Sequence, residues 1–204
     1  MISVLFLGSI LLSAQGQEKP VPQLQQWEQD VRLRIAKDDK LKPLAAKYPL
    51  VLLHSLRLYS DADQWAFSFI NETSDSTKNS HPTRGYNDFQ LRFNGGSEGN
   101  VFEGNMQGGH QHLVVDLGKV DFEKDPEPKR ISIDANNVMR RTATAVDGHV
   151  YLERVRDDNG NNFYVVFQVV TVDPQSRYIA FLWRRLPGGK VVKPPEKAPK
   201  TSDG

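Results

Sequence analysis

The chain has 204 residues, the length of one ordinary domain, and a domain of that size buries well over half of its unfolded surface. Its 26 Lys and Arg residues nearly balance its 25 Asp and Glu residues, which leaves a formal net charge of +1. Nucleic-acid binders carry a strongly basic balance, so we expect no nucleic-acid partner. The chain contains no cysteine, which excludes disulfides, thiolate nucleophiles and zinc sites built on cysteine.

The first sixteen residues follow the order of a secretory signal peptide. An uncharged apolar run over 1–13 leads to the small residues Ala14 and Gly16, which fit a signal peptidase site, so cleavage would leave Gln17 as the new terminus. The run is too short to span a bilayer. No Lys or Arg precedes it, and the alternatives are a buried amino-terminal strand or an uncleaved anchor. We predict a secreted or periplasmic protein with no transmembrane segment after cleavage.

Residues 17–48 are predicted to form a helical lead-in. Apolar residues recur there at spacings of three and four, which places them on one face of a helix. They are Leu24, Trp27, Val31 and Ile35. Pro43 removes a backbone donor and is expected to interrupt the helix.

Residues 49–186 carry the period of two that is typical of β-strands. The clearest part is a predicted hairpin, in which 149–156 and 163–172 flank a turn containing Asn159 and Gly160. A further strand is predicted over 178–186. Others are predicted over 51–59, 64–70, 88–94, 112–117 and 130–133. The expected fold class is mainly β: an antiparallel β-sandwich or jelly-roll-like domain, preceded by a short N-terminal helix.

Two segments lack strand periodicity. The glycine-rich stretch 94–109 is expected to be a long surface loop that could border a site. The proline- and lysine-rich tail 187–204 is expected to be disordered.

The most suggestive chemistry lies just after the glycine-rich stretch. On a strand, His110, His112 and Asp116 would share one face. The opposite face, expected to enter the core, carries Leu113, Val115 and Leu117. Two imidazoles and a carboxylate are suitable ligands for Zn, Mn, Fe, Ni or Cu. The alternative is that both histidines are solvated on the outer face of the strand.

Gly104, His110 and His112 have the spacing of a glycine followed by His-any-His, with Asp116 a few residues on. This stretch resembles the first metal-binding motif of the cupin family, although that family usually has Glu at the carboxylate position and a second motif that is absent here. The resemblance implies a jelly roll with a divalent transition metal held by His110, His112 and Asp116, and a fourth ligand such as His149.

Two other patterns suggest weaker possibilities. Asp116, Asp121, Glu123 and Asp125 form an acidic cluster, and a glycosidase would need two such carboxylates facing each other across a groove. The alternation of Asp and Asn over 157–161 is interpreted as a turn, because glycine is misplaced for a calcium loop.

Three short segments, 84–89, 114–118 and 148–151, are similar to the uncharacterised secreted β-proteins of planctomycete-like bacteria. This resemblance implies export. Because no catalytic signature is complete, we expect a secreted non-enzymatic binding or structural module that needs no cofactor. Its partner would be an unknown protein or carbohydrate of the envelope. The alternative is a cupin-like metal-binding enzyme that uses the His-x-His site.

Overall fold

The structure, a computed structural model, describes residues 23–55, 66–74, 91–95, 100–104, 111–126, 141–175 and 177–192. Helices α1 (Gln23–Lys37) and α2 (Leu41–Lys47) come first. The strands are β1 (Leu50–His54), β2 (Ala66–Phe67), β3 (Leu91–Asn94), β4 (Val101–Gly104), β5 (Leu113–Gly118), β6 (Thr142–Thr144), β7 (Val150–Arg156), β8 (Asn162–Val172) and β9 (Tyr178–Arg185).

The strands form two antiparallel sheets. A five-stranded sheet has the order β1-β9-β8-β7-β5, and a four-stranded sheet has the order β2-β3-β4-β6. The predicted fold class, a mainly β antiparallel sandwich preceded by a short helix, is confirmed. The predicted hairpin is also confirmed, because β7 and β8 pair antiparallel from Val150 opposite Gln168 to Arg156 opposite Asn162.

The five-stranded sheet is covered on both faces. Its inner face packs against the four-stranded sheet around Phe102, Phe167 and Phe181, all 0% exposed. Its outer face packs against the helices through Trp27 and Val31. The central strands therefore bury both sets of alternating side chains, because each face meets an apolar layer.

The helical lead-in breaks earlier than the sequence indicates. We expected Pro43 to interrupt the helix, but Pro43 lies in the first turn of α2, where its missing N–H has no intrahelical acceptor to lose. The break falls at Asp38. Its carboxylate accepts hydrogen bonds from the backbone N–H groups of Lys40 and Leu41, at 2.8 and 3.1 Å, and so satisfies donors at the start of α2.

The glycine-rich stretch is not one long loop. Within it lies β4, and Phe102 on that strand fills the centre of the inter-sheet core. Of the strand predicted over 64–70, residues 64 and 65 lie outside the described part of the chain. Among the others, β2 covers two residues, and a turn follows in which Glu72 has a φ of 57°. The strand predicted over 130–133 lies outside the described residues.

The start of the predicted tail pairs with the hairpin. The backbone N–H groups of Asn162 and Lys190 each donate to the other residue's carbonyl, at 2.8 and 2.9 Å. The side-chain oxygen of Asn161 accepts a hydrogen bond from the N–H of Val192 at 2.7 Å. Backbone pairing thus continues past residue 186.

Candidate functional site

Five polar side chains lie beside the inter-sheet core, on the inner faces of β5 and β7 and on the residues just before each strand. Val114 on β5 and Val155 on β7 both belong to that core, and side chains two residues apart on a strand share a face. Val114 also lies directly opposite Glu153 in the register. We call this row the polar seam. It consists of His112, Asp116, His149, Tyr151 and Glu153.

At the exposed end of the polar seam, the side chains of His149 and Asp116 lie at ion-pair distance. Nδ1 of His149 lies 3.0 and 3.1 Å from the two carboxylate oxygens of Asp116. The same carboxylate accepts a hydrogen bond from the N–H of Gly118 at 2.7 Å, where a bulge interrupts the register and Gly118 adopts a φ of 74°. Because the two side chains are 23% and 33% exposed, this end of the seam is open to water.

Tyr151 lies next along the seam and is fully buried. Its hydroxyl donates to the carbonyl of Thr144 at 2.7 Å and accepts from the N–H of Val146 at 2.9 Å. Burial, and secondarily the charge of Asp116, raises the pKa of Tyr151. The phenol therefore stays neutral and ties the loop before β7 to the strand.

Glu153 is the most unusual member of the seam. It is 0% exposed, and neither carboxyl oxygen has a hydrogen-bond partner. Its neighbours directly across the sheet are Val114 and Val165. Burial raises the pKa of Glu153 well above its ordinary value of 4.5, because a carboxylate loses its hydration there without gaining a counter-charge. Below that raised pKa the group is a neutral acid inside the sandwich.

His112 lies at the deep end of the seam and is also 0% exposed. The alternative of a histidine solvated on an outer face is therefore wrong for His112, which faces the inter-sheet side with Val114. A side chain on Gly104 would place its Cβ 2.2 Å from the carbonyl oxygen of His112. The absence of a Cβ at Gly104 lets β4 approach the chain closely at this point.

The described residues do not bring the predicted metal ligands together. His110 lies outside them, while His112 and Asp116 are four residues apart along an extended chain, which separates their Cα atoms by about 13 Å. Asp116 is paired instead with His149. Within the described part of the chain, no three His, Cys, Asp or Glu residues are grouped so as to hold a metal ion. The metal centre stays a prediction.

The acidic cluster is divided among separate cations. Glu123 accepts from Lys47 at 2.6 Å and from the hydroxyl of Tyr48 at 3.1 Å. Asp125 accepts from Arg184 at 2.5 Å. These carboxylates fasten the segment after β5 to α2 and β9, and the contacts do not form the facing pair that a glycosidase requires.

A second group of charges lies on the outer face of the four-stranded sheet. The register aligns Arg92, Glu103 and Thr142 in one row. Glu103 accepts from Nε and Nη2 of Arg92, at 2.7 and 2.5 Å, and also pairs with Arg141. We call this surface the arginine face. It comprises Arg92, Glu103, Arg141, Thr142 and Thr144.

Sequence reasoning did not single out the arginine face. Arg92 is a polar residue between apolar neighbours, as in any half-buried strand, while Glu103 and Arg141 lie far from it along the chain. Only the pairing register shows that the three charges meet. The one available signal was the outward position of Arg92 between Leu91 and Phe93, which are both 0% exposed.

Comparison with known proteins finds no match among protein-family models, curated proteins or solved structures. Fold and site together define a helix-backed antiparallel β-sandwich with an internal polar seam. Neither α1 nor α2 is long and apolar enough to cross a membrane, and they are the helices of the described residues.

Proposed function

We propose that the chain is a secreted or periplasmic β-sandwich module without catalytic activity, which binds a protein or carbohydrate of the envelope through the arginine face. The observation that carries this proposal is the difference between the two outer faces of the sandwich. Helices α1 and α2 pack on the five-stranded sheet, whereas no described element packs on the outer face of β3, β4 and β6. On that face Thr142 and Thr144 of β6 are exposed, so this part of the sheet can reach a ligand.

The character of that face fits recognition rather than catalysis. Thr142 and Thr144 point outward and are exposed, and Arg141 beside them has a side chain that is 51% exposed. Hydroxyl and guanidinium groups at fixed positions supply hydrogen bonds and orientation to a ligand. By contrast, the polar seam buries Glu153 and His112 completely, and a catalytic group must reach the reacting atoms of its substrate.

The proposal is tested by blocking the arginine face. Arrays of envelope polysaccharides and purified envelope proteins are probed with the mature chain and with Thr144→Trp, which places a large side chain on that face. Gln26→Trp is the matched control, because Gln26 is exposed on α1. A ligand that binds the wild type and the control, and not Thr144→Trp at unchanged melting temperature, supports the proposal. Equal binding by all three chains, or no ligand on either array, rejects it.

A second function, metal-dependent catalysis, is favoured by one observation in the polar seam. His112 is fully buried, and the unpartnered carboxyl of Glu153 lies diagonally across from it on the neighbouring strand, within reach of a long side chain. We propose these two residues as ligands of a transition metal in this alternative. Elemental mass spectrometry of untagged wild type, His112→Ala and Glu153→Gln tests it. Near-stoichiometric metal lost in both variants supports a metal centre, and wild type without metal rejects it.

A further inference from the structure

We infer that the arginine face recognises a polysaccharide that carries carboxylate groups. This inference rests on the proposed binding function and specifies its ligand. The chemistry involved is that of guanidinium groups, which match a carboxylate through parallel N–H donors, together with hydroxyls that bond sugar hydroxyls.

The charge balance of the face is the first argument. Elsewhere in the described part of the chain, each ion pair joins one cation to one carboxylate, as in Arg34 with Asp147 and Arg184 with Asp125. Among the carboxylates of the described ion pairs, Glu103 is the one that pairs with two arginines. One carboxylate neutralises one guanidinium, so the described residues of this face carry one surplus positive charge, which a bound anion would balance.

Accessibility is the second argument. The side chain of Glu103 is 13% exposed and that of Arg92 is 24% exposed, so the carboxylate lies beneath and fixes the guanidinium of Arg92. The side chain of Arg141 is 51% exposed and is oriented by the same carboxylate. Glu103 holds both arginines in place. Their N–H donors are therefore already ordered before a ligand binds, which lowers the entropic cost of binding.

The neighbouring positions favour a saccharide over an acidic protein. Thr142 and Thr144 alternate outward along β6, about 7 Å apart, and present hydroxyl groups beside the arginines. The outward residues of the adjacent row are Asn94 and Val101. Protein interfaces are centred on apolar and aromatic side chains. The apolar residues at the described outward positions of this sheet are Val101 and Ala66, which is paired with Arg92 and is 3% exposed, and none of these positions is aromatic.

The first experiment compares two polymers that differ in charge. The mature chain is titrated at low salt with polygalacturonate and with its fully methyl-esterified form, which has no carboxylate. We expect binding to polygalacturonate alone, and we expect added salt to weaken it because exposed charges are screened. Arg141→Gln should weaken binding at least tenfold, the loss of about one charged hydrogen bond. Arg32→Gln removes the same charge from α1 and should leave binding unchanged.

Glu103→Gln supplies a result in the opposite direction. The amide oxygen of Gln still accepts a hydrogen bond and so keeps an arginine oriented, while the negative charge that repels the carboxylates of the ligand is removed, so we expect tighter binding to polygalacturonate. If Arg92, Glu103 and Arg141 served only to stabilise the sheet, Glu103→Gln would not tighten binding, and both Glu103→Gln and Arg141→Gln would lower the melting temperature. Weaker binding by Glu103→Gln at unchanged melting temperature overturns the inference.

Failure of this inference is separable from failure of the proposed function. A neutral polysaccharide that binds equally to wild type and Arg141→Gln, and is blocked by Thr144→Trp, would keep the binding function and overturn the charge-based ligand. Equal affinity for poly-L-glutamate would show a general polyanion site and overturn the saccharide. Absence of binding to polygalacturonate also overturns the inference.

Discussion

Replacing Glu153 by Met should stabilise the protein. Glu153 is fully buried between Val114 and Val165, and its carboxyl has no hydrogen-bond partner. A buried polar group left unsatisfied costs about 1–3 kcal/mol, and Met has similar length and volume without the polar atoms. We therefore expect the free energy of unfolding to rise by about 1–3 kcal/mol at a pH where the carboxyl is protonated in both the folded and the unfolded chain. Each kcal/mol corresponds to a rise of about 2–4 °C in melting temperature.

The stability gain of Glu153→Met over wild type should grow as the pH rises. The pKa of Glu153 is raised in the folded protein from an ordinary value of 4.5, because burial disfavours the carboxylate. Above pH 4.5 the unfolded chain loses this proton while the folded chain keeps it, so wild-type stability falls by about 1.4 kcal/mol per pH unit until the folded pKa is reached. Glu153→Met has no such proton, and its advantage over wild type widens with the same slope.

Urea unfolding at several pH values between 4 and 8 measures both the stability gain of Glu153→Met at low pH and the increase of that gain with pH. Trp27 packs between the helices and the five-stranded sheet, and Trp183 packs between the two sheets. Tryptophan fluorescence, to which Trp65 also contributes, therefore reports the loss of both layers. Glu28→Met, on the exposed face of α1, is the control and should change stability by no more than about 0.5 kcal/mol without a matching pH slope. A Glu153→Met variant that is less stable than wild type, or a difference that stays constant with pH, would refute the neutral-acid assignment.

Two further substitutions test how the site is held. Gly104→Ala should lose more stability than Gly118→Ala in thermal unfolding, because its Cβ would lie 2.2 Å from the carbonyl oxygen of His112. At Gly118 nothing lies within 4 Å of a Cβ, and only the φ of 74° opposes the change. Equal losses would contradict the close approach of β4. Asn161→Ala should cost about 1–3 kcal/mol in urea unfolding, because it removes the 2.7 Å hydrogen bond from its side chain to buried Asp157; a change below about 0.5 kcal/mol would show that this bond is not needed.

Local sequence pattern predicted the fold where neighbouring residues decide the structure. The hairpin of β7 and β8 follows from two β-branched runs around Gly160, whose φ of 90° suits glycine. Pattern failed where tertiary contacts decide. Phe102 lies in a glycine-rich stretch that reads as a loop, yet its strand forms because pairing with β3 and β6 and burial of the ring outweigh the weak local preference.

The site was less accessible to prediction. The sequence identified His112 and Asp116 from their shared face, and they do lie on one face of the same chain segment. It could not show that Asp116 pairs with His149, because that contact depends on the alignment of β5 with β7. The sequence did not predict the burial of Glu153 either, because a charged residue in an alternating strand normally faces solvent. Its burial follows only from the four-stranded sheet that covers that face.

The sign of the Glu153→Met effect also separates the two proposed functions. If Glu153 binds a metal with His112, the folded protein holds it as a carboxylate, and metal binding adds to folding stability. The substitution would then remove that contribution and destabilise the protein, and a chelator would lower the melting temperature of wild type but not of the variant. If Glu153 is a neutral acid without a ligand, the substitution stabilises the protein and a chelator changes neither chain. One unfolding series with and without chelator thus decides whether the polar seam holds a metal, independently of any activity assay.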